Sequence, residues 1–159
     1  MKAAGLTHGG FYGHFKSKDD LIAQTLTHVI AGGESPDVDW DCYMAGYLSH
    51  DHRDNLAEGC PVAALGAEAI RQGAAARAAL TAGIRQQIDA RSGQSADVAP
   101  DAAREAAIGT WAAMIGAMIL SRLVDDPTLS DELLAGTHSW IVRNEIKGEA
   151  ATNELGKRK

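Results

Sequence analysis

Every proline in this chain stands where a helix can begin. Pro36, Pro61, Pro100 and Pro127 each lie at or just before the start of a segment whose apolar residues recur at helical spacing. At the first position of a helix the missing proline N–H costs nothing, because that donor has no partner inside the helix. Between the prolines, no stretch alternates apolar and polar residues for long enough to propose a strand. The fold class that follows is all-α. At 159 residues the chain suffices for one ordinary domain, or a small module joined to a larger one.

The spacing predicts a helical fragment over residues 2–4, a turn at 5–6 and a short helix over 7–15. The next helix starts at Ser17, whose hydroxyl can cap it while Asp20 completes an S-x-x-D box. Its apolar face is Leu21, Ile22, Thr25, Leu26, Val29 and Ile30, and Gly32 and Gly33 end it. Further helices are predicted over 36–49, 61–72, 75–91, 101–124 and 130–146. SHDHRDNLAEG reads as a polar loop, SGQSADVAP as a linker and GEAATNELGKRK as a frayed tail. Three units result: a head with its linker helix over 1–31, a helical body over 35–147 and a flexible tail over 148–159.

A hydrophobic content of 45% with only 5% aromatics suits closely packed, alanine-rich helices better than a β-sandwich. The net charge of −6 argues against a surface made basic for unspecific nucleic-acid binding. The charge is uneven, however. Residues 1–18 hold Lys2, Lys16 and Lys18 with His8 and His14 and no acid, a composition compatible with a local anion contact. Cys42 and Cys60 show neither CxxC nor Cys/His zinc spacing, so the reducing cytoplasm is the expected compartment. The longest uncharged run, residues 106–121, is 16 residues long. It falls short of the ~20 needed to span a bilayer and reads as a buried helix, so no membrane is expected as a partner.

Within GLTHGGFYGHFKSKDD, three glycines crowd into about two turns, at roughly 1 kcal/mol each against alanine. At 100° per residue Phe11 and Phe15 share one face, Gly13 lies opposite, and Gly9 and Gly10 flank it. The glycines thus bare the backbone on the face turned from the core, with Tyr12 and His14 at its borders. Such a helix can press into a duplex major groove, its first residues at base edges and its neighbours on phosphates. The free N–H groups of the helix starting at Ser17, with Lys18 beside them, would favour a phosphate. A glycine-rich turn between two core helices is the plainer alternative.

The 25-residue stretch KAAGLTHGGFYGHFKSKDDLIAQTL resembles the second half of the DNA-binding head of tetracycline-repressor family regulators. The matching positions are Ala4-Gly5-Leu6-Thr7, Gly9, Phe11-Tyr12, His14-Phe15, Ser17-Lys18 and Leu21. The resemblance implies a homodimeric repressor with a partial helix-turn-helix head and a helical-bundle regulatory domain. It would leave its double-stranded DNA operator when a small apolar ligand binds. It further implies that Thr7, His8, Gly9 and Gly10 approach bases while Tyr12, His14 and Lys18 hold phosphates. Gly13 departs from the larger residue often found there, which leaves base preference open. Family members carry a complete first helix and most of a second ahead of the point matching Met1, so the chain as written is expected to be N-terminally shortened and to bind DNA poorly. GCPVAALGAEA, residues 59–69, resembles the family's regulatory domain more loosely.

In the body, Trp111, Met114, Ile115 and Met118 form one i, i+3, i+4, i+7 stripe, and Trp40, Tyr43, Met44 and Tyr47 another. Such stripes are usually plain core. In the family the regulatory domain encloses an apolar pocket, which makes these residues pocket candidates. The last two helices resemble the family's dimer-forming pair, with Gly116, Leu133, Trp140 and Ile141 as candidates alongside Ala106, Ala113, Ala117, Leu129, Thr137 and Asn144. Packing of the same faces within one chain is the alternative. Cys60, ahead of Pro61 at a helix start, is a candidate redox sensor or else a small buried cysteine.

HDHRDN brushes against the H-x-H-x-D-H pattern of metal-dependent hydrolases. Asn55 replaces the last histidine and no downstream ligands follow, so no metal is expected and a solvated loop is the preferred reading. No nucleophile elbow, phosphate loop or dinucleotide fingerprint is present, so neither enzyme activity nor a cofactor is expected. A helical ligand-binding dimer without DNA contact remains the alternative function.

Overall fold

The computed structural model describes residues 8–31, 39–57, 59–93 and 98–156. Their regular structure is entirely helical. The helices are α1 (His8–His14), α2 (Lys18–Ala31), α3 (Trp40–Tyr47), α4 (His50–Asp54), α5 (Pro61–Ala69), α6 (Ala74–Ser92), α7 (Pro100–Leu123) and α8 (Pro127–Gly156). Thr7, the fragment expected over 2–4, the turn at 5–6, the Gly32–Gly33 stop and Pro36 lie outside the described residues.

Three prolines act as expected, each as the first residue of its helix: Pro61, Pro100 and Pro127. Other boundaries differ for local reasons. α3 begins at Trp40, where Asp39 accepts from the N–H groups of Asp41 at 2.9 Å and Cys42 at 3.2 Å. The stretch read as a polar loop contains α4, capped by Ser49 Oγ on the His52 N–H. α8 continues past the expected stop at 146 and through most of the segment read as a frayed tail, to Gly156.

α7 is the central helix, packed against α4, α5, α6 and α8. Its buried residues are Ala103, Ala107, Trp111, Met114, Ala117, Met118 and Ser121, one stripe at spacings of three and four. By length and composition alone its 24 residues could cross a membrane. Its buried stripe packs against the neighbouring helices.

Two clusters fill the interior. The larger joins Met44, Tyr47 and Leu48 to Met114, Ala117 and Met118 of α7 and Leu134 and Ile141 of α8. The smaller joins Leu26 of α2 to Ala69, Ala76 and Leu80 of α5 and α6. The small side chains of Ala69 and Ala76 there let α2 lie close on the body, and α2 on α6 is the most extensive helix pairing among the described residues. Burying Leu26 contributes roughly 2 kcal/mol to that joint. α2 therefore leads from α1 directly onto the body.

Candidate functional site

α1 and the start of α2 carry the head residues. Tyr12 is 64% exposed, and Gly13, His14, Lys16, Ser17 and Lys18 are exposed with it, while Phe15 is half-buried. A Cβ added to Gly13 would meet nothing within 4 Å. At Gly13 the bare backbone thus faces outward, with exposed Tyr12 and His14 beside it. Gly9 and Gly10 lie in α1, Gly10 half-buried, and His8 is its first residue. The side chains of His8 and Phe11 lie outside the described residues.

The capping box forms, in a shifted version. Asp20 N–H donates to Ser17 Oγ at 3.0 Å, and the Asp20 carboxylate accepts from the N–H of Lys16 at 2.8 Å. Gln24 Nε2 donates to the other carboxylate oxygen at 3.1 Å. The Lys16 N–H, then that of Gln24, hold the Asp20 carboxyl below its ordinary range. Two carboxylates, Asp19 and Asp20, thus occupy the first turn of α2. Their negative charge lies at the positive end of the helix, which disfavours a phosphate at that end.

The pocket candidates fall into two settings. Met44, Met114 and Met118 are fully buried side by side, with Tyr47 and Trp111 also buried. Trp40 and Tyr43 sit half-buried at the edge, stacked with centroids 5.5 Å apart. Arg91 of α6 lies over them, its guanidinium 4.0 Å from the Trp40 ring and 4.9 Å from that of Tyr43.

The dimer candidates part company. Gly116, Leu133 and Trp140 line a groove of about 410 Å³ between α7 and α8, together with Ala113, Ala117, Leu120, Gly136 and Thr137. Trp140 is half exposed. Ile141, grouped with them from the sequence, points the other way and is 1% exposed in the core. Asn144 is occupied locally, donating to the Trp140 carbonyl at 2.9 Å.

The HDHRDN segment is a structural clasp. His52 Nδ1 donates to the Tyr47 carbonyl at 2.7 Å, and Nε2 accepts from the Cys60 N–H at 2.9 Å. Both ring nitrogens are therefore taken by backbone, and among the described residues no three His, Cys, Asp or Glu side chains converge as metal ligands. Arg122 of α7 closes the end of α4, donating to the carbonyls of His52 at 2.7 Å and Arg53 at 3.0 Å. Arg53 in turn donates to Ser130 Oγ at 3.0 Å and Asp131 at 2.8 Å of α8. Sequence reading missed this clasp. Its one local signal was Ser49 ahead of Asp51 and Arg53, a capped short helix with charges placed to suit its dipole.

Cys60 is half-buried at the cap position of α5 and packs on the larger cluster. Burial, followed by the Cys60 thiol beside it, pushes the Tyr47 phenol well above its ordinary range.

No protein-family model matches the chain, and no curated protein matches it either. The resemblance to tetracycline-repressor regulators rests on the head residues themselves.

Proposed function

We propose that the chain is a DNA-binding transcriptional regulator of the tetracycline-repressor type, acting in the cytoplasm as a homodimer and released from its operator by a small apolar ligand. One observation carries this reading: the outward face of α1, with Gly13 open and Tyr12 and His14 exposed, in register with the family motif. α1 would enter the major groove, with Thr7, His8, Gly9 and Gly10 at base edges. Tyr12, His14 and Lys18 would fix the register on phosphates. The α7–α8 groove would pair two copies so that two heads meet two half-sites. A ligand lodged among the methionines of the core would displace them, since thioether side chains repack readily. Through the α2–α6 joint that displacement would tilt α2 and change the spacing of the heads.

The test is selection of duplexes from a random pool by the purified chain at low salt, where even the weak binding expected of the chain as written is measurable. Inverted repeats should be enriched, with a binding constant that falls steeply as salt rises. Lys18→Ala should weaken binding severalfold on every enriched sequence, because a phosphate contact carries no sequence information. Absence of enrichment, or affinity indifferent to Tyr12→Ala, His14→Ala and Lys18→Ala together, overturns the proposal.

A further inference from the structure

Tyr47 is 6% exposed, and its buried hydroxyl has no hydrogen-bond partner among the described residues. A buried donor left without an acceptor is uncommon and costly, and calls for a reason. The Cys60 thiol lies against this phenol and offers it only a weak sulfur acceptor. Cys60 is held in place from both sides, by its own N–H on His52 Nε2 at 2.9 Å and by Pro61 at the head of α5. Its thiol makes no capping bond to α5. Arg122, whose Nη1 is likewise buried and without a partner, adds positive charge to the same corner. What this corner lacks among the described residues is a strong acceptor, ideally an anionic one.

We propose that Cys60 is a site of sulfenic acid formation by hydroperoxides, with the new oxygen accepting from the Tyr47 hydroxyl. The sulfur, as thiolate, attacks one peroxide oxygen. An S–O bond forms as the O–O bond breaks. Sulfur loses two electrons, the peroxide gains them, and the departing oxygen leaves as hydroxide and takes up the thiol proton to become water. The inference does not depend on DNA binding.

Exposed Cys42 supplies an internal control. The full chain is treated with dilute hydrogen peroxide and dimedone, and labelled peptides are quantified by mass spectrometry. Cys60 should be labelled about tenfold faster than Cys42, a difference that reflects a prepared thiol and not mere exposure. Tyr47→Phe keeps the ring and the core volume and removes only the hydroxyl. It should keep a cooperative melt and reduce Cys60 labelling to the rate of Cys42. Equal labelling of the two cysteines overturns the proposal. So does undiminished Cys60 labelling in Tyr47→Phe, which would assign the hydroxyl to a buried water.

Discussion

His52 joins three elements through two ring nitrogens: the end of α3 at the Tyr47 carbonyl, its own helix α4, and the entrance to α5 at the Cys60 N–H. Its ring also meets the edge of Tyr47 at 4.5 Å between centroids. His52→Ala would leave one carbonyl and one N–H half-buried without partners. At roughly 1–3 kcal/mol for each such group, and with partial access to water, the expected loss is about 2 kcal/mol, read as a lower urea midpoint at unchanged slope. Asp20 allows a pH prediction. Its folded pKa lies below the ordinary 3.8, so its contribution is full above that value and is lost as pH falls through the folded one. Amide protection at the start of α2, taken relative to the free-chain exchange rate at each pH, should therefore hold down to about pH 4 and fall below it. In Asp20→Asn, where the acidic titration is gone, that fall should disappear.

At the level of elements, α1 poses the sharpest choice, because seven residues with glycines among them make a poor helix by propensity. Gly13 has open space where a Cβ would go, so nothing in the protein requires a glycine there. Gly13→Ala should raise the helicity of α1, by up to roughly 1 kcal/mol in that helix, and leave the melt of the body unchanged. If close approach to a duplex is why the backbone is bare, the same variant should lose at least several-fold in DNA affinity. A gain in both would show that the glycine is idle. The long helices were legible because periodicity reports which face is buried, and α7 shows the expected stripe with Met114 and Met118 in it. α4 escaped because five residues are too few to show a period, although Ser49 and Asp51 signalled a start. The end of α8 was misread because its position at the terminus outweighed Glu, Ala and Leu, all strong helix formers. Cross-chain partners were not legible at all. Nothing in residues 50–55 names Cys60 or Arg122, and nothing at Arg91 names Trp40. Periodicity identifies faces, and partners follow only from how helices of given length and joint meet.

For the whole molecule, the question is what covers the α7–α8 groove. Leu120 and Trp140 are about half exposed along it, and Leu123 is more exposed still. Large apolar side chains grouped on one face, with glycines between them, suit close packing against another helix pair. A second copy offering the same face would satisfy this by two-fold symmetry and give the four-helix arrangement that the proposed pair of heads requires. Gly116 separates this from packing within one chain. A Cβ there meets nothing within 4 Å, so the protomer can accept a larger side chain, and helix propensity favours one by roughly 0.8 kcal/mol. Gly116→Leu should then melt no lower than the parent and keep its helical content. In the dimer, the leucine would fall where the partner's helix has to lie. Sedimentation at micromolar concentration should accordingly show a dimer for the parent and a monomer for Gly116→Leu, with Trp140→Glu behaving alike. Since two joined heads bind two half-sites far more tightly than one, both variants should also lose the preference for inverted over single repeats. A monomeric parent, or a Gly116→Leu chain that dimerises as before, would place the dimer contact elsewhere.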